Sequence, residues 1–281
     1  MAIAFDGSDD YVVTTTLGDF GSSMAQGFSL SLWFKTASSA NGMLAGWVNG
    51  PAGEYNTSWV VMLNEDQNGI ATPDRIRFFC RDEGADKQMS CCCTFNTDDS
   101  LWHHLSIIAN FPSDADVEFW VDGVQKTTTY SGNNNAPDNP ADATVPIVIG
   151  GHNSRGTPNA VDIPVSLADV FLTKSKWGPT IPPEIYRLRR VPWRLFDSNV
   201  VAYWPLAGPT STTVSTAHWG GKDLSGNGNS ISSVNSAPTW EDDPLAPQAW
   251  TEGLFGGAWA TTAAANVIPV MDYYYRRRRT A

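Results

Sequence analysis

From residue 3 to about residue 175 the chain alternates apolar and polar positions in short runs separated by turn residues. "FSLSLWFKT" puts Phe28, Leu30, Leu32 and Phe34 on one face of a strand, because side chains alternate with a period of two. "YVVTTT", "SWVVMLN", "DRIRFFCRD", "MSCCCTFN", "WHHLSIIANF", "VEFWVDGVQ", "TVPIVIGGH" and "VSLADVFLT" read the same way. Many short strands at this spacing predict an all-β sandwich or barrel. "RIRFFCRDEGADKQMSCCCTF" predicts a hairpin turning near Gly84, with Phe78 opposite Cys91 and Cys80 opposite Met89. "VDG" at Val121–Gly123 predicts a tight Asp-Gly hairpin turn.

One helix is expected, over "IPPEIYRLRR". Two prolines stand at its start, where missing N–H groups cost little, and Glu184 lies beside the positive end of the dipole. Its arginines are expected in the last turn. After it, "SNVVAYWPLAG" reads as a further strand, the loop "DLSGNGNSISS" follows, and a short strand ends at Trp240. From about residue 245 the chain is rich in Pro, Gly and Ala without a period, which predicts an extended arm ending in "DYYYRRRRTA".

Composition narrows the class. The 281 residues are 42% hydrophobic and 17% charged, with 12 Trp, 24 Gly and 18 Pro, as in a turn-rich β protein with a large core. A chain this long can bury a core without disulfides or metals. No apolar run approaches the ~20 residues of a membrane span, and the N-terminal stretch lacks the pattern of a secretory signal, so folding in a cytoplasm is expected. The net charge of −11 argues against general nucleic-acid binding. Cys80, Cys91, Cys92 and Cys93 lack C-x-x-C spacing, so buried, unligated thiols are expected, with Cys91 and Cys93 facing one way and Cys92 the other.

Taken together, "IAFDGSDDYV", "FSLSLWFKT", "LWHHLSIIANF", "VEFWVDGVQ", "IVIGG" and "SLADVFLTKSKWGPTIPPEIYRL" resemble laminin-G-like domains of the concanavalin A-like superfamily. The resemblance implies a two-sheet antiparallel jelly-roll sandwich with one short helix. Such domains commonly begin with a strand like "VAYWPL" and a loop like "DLSGNGN", which here come last. The resemblance therefore implies a circularly rearranged sandwich over residues 1–244. Its last strands would be supplied by residues 199–240, with residues 245–281 as the arm.

Candidate chemistry is sparse. His103 and His104 are adjacent and point to opposite faces of a strand, so they cannot chelate one ion. No G-x-S-x-G nucleophile turn occurs. Glu118 and Asp122 share a face by spacing, but Asp122 falls in the hairpin turn. "DGSDD" offers Asp6, Asp9 and Asp10, and "DLSGNGN" offers Asp223, Asn227 and Asn229. Calcium favours such oxygen-rich loops, but these residues are also turn formers, and no cofactor is expected.

The expectation is a protein that is not an enzyme. An aromatic and basic arm on this fold resembles open reading frames of tailed bacteriophages. The resemblance implies a virion structural protein, a capsid decoration or cement protein or a tail appendage, at the virion surface after synthesis in the host cytoplasm. Tyr273, Tyr274, Tyr275, Arg276, Arg277, Arg278 and Arg279 would bind other virion proteins or further copies of the chain, since Tyr and Arg anchor interfaces. The alternative is a lectin-like carbohydrate-binding module for cell-surface glycans, with Trp47, Tyr55 and Trp59 lining its site.

Overall fold

The computed structural model describes residues 2–16, 27–49, 57–81, 88–110, 116–131, 146–154, 157–160, 163–206, 213–216 and 221–241. All lie in one compact unit, Met1–Asp243. The strands are β1 (Ala2–Phe5), β2 (Tyr11–Thr16), β3 (Phe28–Lys35), β4 (Gly42–Asn49), β5 (Thr57–Glu65), β6 (Ala71–Arg81), β7 (Gln88–Thr94), β8 (His103–Asn110) and β9 (Asp116–Val121). They continue with β10 (Val124–Lys126), β11 (Thr129–Tyr130), β12 (Pro146–Ile149), β13 (Gly151–Ser154), β14 (Thr157–Ala160), β15 (Val165–Thr173), β16 (Val200–Trp204), β17 (Ile231–Asn235) and β18 (Thr239–Glu241). A helix, α1 (Ile181–Leu188), and a 3-10 turn at Trp193–Leu195 follow β15.

Two antiparallel sheets face each other. One runs β10-β9-β8-β3-β15-β1-β18 with β16 also on β15; the other runs β11-β7-β6-β5-β4-β12-β2-β17. The period-two pattern decides which residues meet between them. Phe28, Leu30, Leu32 and Phe34 of β3 join Ile76, Phe78 and Cys80 of β6 in one core cluster.

The late strands enter both sheets. In β15 the register shifts between Ala168 and Phe171, where Asp169 has a φ of 49°. This bulge divides the flank of β15 in two. Residues Val165–Leu167 pair with β1, and Val170–Thr173 pair with β16. "VVAYW" therefore continues the line of β1 along the same neighbour and is buried at all five positions. β17 pairs with β2, and β18 pairs with β1, where Glu241 holds Lys35 and accepts a hydrogen bond from Ser166.

The loop before β17 is fastened by Asp223. Its carboxylate accepts from the backbone N–H groups of Tyr203 (3.0 Å), Ser225 (2.8 Å) and Asn229 (3.0 Å) and from Ser225 Oγ (2.7 Å).

The β6–β7 hairpin has the expected register, Phe78 opposite Cys91 and Cys80 opposite Met89; its turn lies outside the described residues. Asp122 and Gly123 form the β9–β10 turn, with φ of 53° and 74°. Two consecutive left-handed residues match the twist of the strands they join.

Helix α1 is shorter than the sequence suggested. It stops at Leu188 because Arg189 turns left-handed (φ 53°) and its N–H caps Tyr186 O, so only Arg187 lies in the last turn. Ile185 packs with Phe171, Trp177, Val191 and Tyr203 in a second cluster. No described helix is long and apolar enough to cross a membrane.

Candidate functional site

The sheet face turned away from the main core carries a recess on β6 and β7. Because Ile76, Phe78 and Cys80 point inward, the intervening Arg77 and Phe79 point outward. β7 adds Gln88 and Ser90 beside them, in the pairs Arg81↔Gln88 and Phe79↔Ser90. The turn after β5 contributes Gln67 and Asn68, and Ser131 closes the far side. Together these seven residues enclose about 300 Å3, at the small end of ligand pockets.

The walls are tied in place. Arg77 Nε donates to Ser90 Oγ (2.9 Å), and Ser90 Oγ donates to Gln67 O (2.7 Å). A second nitrogen of Arg77 pairs with Glu65, and the guanidinium lies 5.1 Å from the centre of the Phe79 ring. The turn itself is fastened by Asp66, whose carboxylate accepts from the N–H groups of Asn68 (2.8 Å) and Ile70 (3.0 Å). Those backbone donors, led by Ile70, outweigh its burial and hold the Asp66 carboxyl below its ordinary range, so it is ionised. Glycine is the favoured residue at position 69. Its φ is +78°, and a Cβ there would stand 3.2 Å from both Arg77 Nη1 and Glu65 Oε1.

Among the described residues the lining contains no carboxylate. Hydrolysis of a glycosidic bond ordinarily requires two. What the described lining offers is an aromatic ring, three amides, two hydroxyls and a guanidinium, groups able to hold a ligand.

The residues expected to bind glycan fall elsewhere. Trp59 is a correction: it is 1% exposed and packs against Phe28 at a centroid distance of 5.9 Å. It alternates inward with Val61 and Leu63, so its ring faces the core rather than solvent. Trp47 belongs to β4 with its backbone opposite Trp59, and only its strand is described. Tyr55 lies outside the described residues, as do Tyr273, Tyr274, Tyr275, Arg276, Arg277, Arg278 and Arg279.

The two acidic loops differ from each other. Asp6, Asp9 and Asp10 bring their carboxylates within 4.8 Å, an arrangement able to hold a hard cation. Asp10 is buried there, accepting from the N–H groups of Asp6 (3.1 Å) and Ala237 (3.1 Å). Burial, with the Asp6 and Asp9 charges adding to it, pushes its pKa up. The "DLSGNGN" loop does not fit an ion, because the Asp223 carboxylate is occupied by its four donors. Asn227 and Asn229 spend their amide nitrogens on Val200 and Val201 carbonyls.

The histidines do face opposite sides. His103 lies between two carboxylates, Nδ1 2.7 Å from Asp122 and Nε2 3.0 Å from Asp99. His104 sits on the other face against Trp33, 2.8 Å from Ser31 Oγ. All four cysteines are buried and outside any disulfide; burial pushes the Cys93 thiol up to about 12. Cys91 and Cys93 belong to the core cluster, while Cys92 lies on the outer face opposite Arg77, its Sγ 3.2 Å from Gln67 Oε1.

A laminin-G-type family, described as the concanavalin A-like lectin/glucanases superfamily, matches residues 6–170. The chain belongs to that superfamily. Among solved structures it is similar to the mouse laminin alpha1 chain domains LG4-5 at 14% identity and a TM-score of 0.42, over 64% of this chain and 43% of that one. It is similar to a heptameric SAP-like pentraxin from Limulus polyphemus at 9% identity and a TM-score of 0.47, over 68% and 83%. For a Ruminococcus gnavus IT-sialidase CBM40 the values are 9% and 0.47, over 66% and 96%. The chain spans 36% of a botulinum neurotoxin DC binding domain. No curated protein matches by sequence.

Proposed function

We propose that this chain is a non-enzymatic carbohydrate-binding module and that the Arg77–Phe79 recess is its sugar site. One observation carries the reading: a recess whose described lining brings together an aromatic ring, amides and hydroxyls, with no carboxylate among those residues. Sugar rings present an apolar face suited to an aromatic ring and hydroxyls suited to amides, and a few placed polar groups fix orientation in such pockets. Membership of a superfamily that includes lectins supports it. The test is a glycan array with the full chain, followed by titration of any hit. Phe79→Ala and the exposed-site variant Asn68→Ala should each weaken binding about tenfold, a loss of ~1.4 kcal/mol. The proposal fails if no glycan binds, or if neither variant changes the affinity.

A second reading rests on the sequence of the tail. Three tyrosines and four arginines in seven residues, Tyr273–Arg279, form a composition suited to docking on another protein. In this reading residues 245–281 anchor the sandwich to the surface of a tailed-bacteriophage virion, as a decoration protein or tail appendage, and leave the recess facing cell-surface glycans. Removal of residues 272–281 tests it, with the outcomes set out in the Discussion.

A further inference from the structure

We infer that the recess selects uncharged sugars over carboxylated or sulfated ones, because Glu65 cancels the charge of Arg77. This rests on the sugar-site reading above and adds the substrate class. An arginine in a sugar site would ordinarily suggest an acidic ligand, since its planar fork matches a carboxylate or sulfate. Here two of the three guanidinium nitrogens are already engaged. Nε is held by Ser90 Oγ, Nη1 by the Glu65 carboxylate, and one guanidinium face lies over Phe79.

The Arg77 and Glu65 side chains are only 11% and 12% exposed. An acidic ligand that took Nη1 would have to displace Glu65, leaving a nearly buried carboxylate unpaired, a strongly unfavourable state. The ionised Asp66 stands in the same turn, next to the lining residues Gln67 and Asn68, and adds a negative charge there. Arg75, on the same face of β6, is not part of the lining; it donates to Thr94 Oγ1 (2.6 Å).

What remains for a ligand is neutral and bifunctional. Asn68 and Gln88 bring amides with both donor and acceptor atoms, and Gln67, whose Oε1 already accepts from Cys92 Sγ, adds an amide donor, matching hydroxyls that both donate and accept. Ser131 Oγ is buried in the lining with no hydrogen-bond partner among the described residues, so a ligand hydroxyl would satisfy it. A volume of about 300 Å3 suits a sugar unit of one or two rings.

The experiment compares the full chain against neutral glycans and the same glycans bearing terminal sialic acid or sulfate. Neutral ligands should bind at least about tenfold more tightly. Their affinity should change little between about 0.05 and 0.5 M salt. Glu65→Gln should unmask Arg77, raise affinity for the acidic glycans about tenfold and make it salt-sensitive. Melting curves show whether that variant is folded; if it is not, the wild-type comparison and its salt series decide alone. A wild-type preference for acidic glycans overturns this inference while leaving the sugar-site reading intact. Absence of binding to any glycan overturns the reading itself, and this inference with it.

Discussion

His103 and His104 are neighbours in sequence that titrate in opposite directions. Burial alone would lower the pKa of His103, but hydrogen bonds to Asp122 and Asp99, with their charges, more than offset it and raise it above 6.5. Its contribution to stability is therefore fully present below the unfolded value of about 6.5 and is lost as pH rises through the raised folded value. His104 is fully enclosed, and burial lowers it to about 3, with the Asp122 charge opposing only weakly. The folded state then holds fewer protons than the unfolded one between about pH 3 and 6.5. Stability falls as pH drops through that window, by up to about 1.4 kcal/mol per pH unit. Thermal unfolding between about pH 4 and 8.5 should show a maximum near the unfolded histidine pKa of about 6.5. His103→Gln should flatten the alkaline side and His104→Gln the acid side, whatever either does to absolute stability. An unchanged acid slope in the His104 variant would show that another group governs it.

At the scale of elements, strand faces were the most legible feature. The alternation in "FSLSLWFKT" and "RIRFFCRD" reports which side chains meet between the sheets, because a strand has only two faces. It does not report what covers the outer face. Arg77 and Phe79 were visible as outward positions of a strand, but Gln67, Asn68 and Ser131 reach them from other segments. For the same reason Trp59 was misplaced: an aromatic near a polar loop reads alike whether its strand turns it inward or outward. The late strands carry a direct prediction. Truncation after Arg194 removes β16, β17 and β18, with Trp204 at 0% and Trp240 at 2% exposure. Burial of each such side chain contributes roughly 1.5–3 kcal/mol, against a total stability of about 5–15 kcal/mol for a domain. The 1–194 fragment should aggregate or remain unfolded in urea titration. A soluble fragment with a cooperative transition would show that these strands are dispensable.

For the whole molecule, composition alone sets residues 245–281 apart as the proposed arm. An exposed arginine pair contributes only ~0.2–1 kcal/mol, while a tyrosine burying its ring contributes roughly 1.5–3 kcal/mol. The tyrosines should thus supply most of any docking affinity, and repetition on a particle would multiply it. Deleting residues 272–281 should leave the melting temperature nearly unchanged while self-association or incorporation into particles falls sharply; the reverse pattern would make the arm part of the domain. The sequence by itself determined the class of fold, the inward face of most strands, the tight Asp122–Gly123 turn and the opposed histidines. These follow from local rules: a period of two, left-handed residues at a turn, and turn chemistry at Asp and Gly. Only the tertiary structure decided where "VVAYW" lands, because the Asp169 bulge that divides β15 between β1 and β16 is a property of pairing. It also decided that Asp223 fastens a loop instead of offering free oxygens, and that Arg77 meets Glu65 beneath Gly69. Each depends on residues distant along the chain meeting in space, which no local pattern encodes.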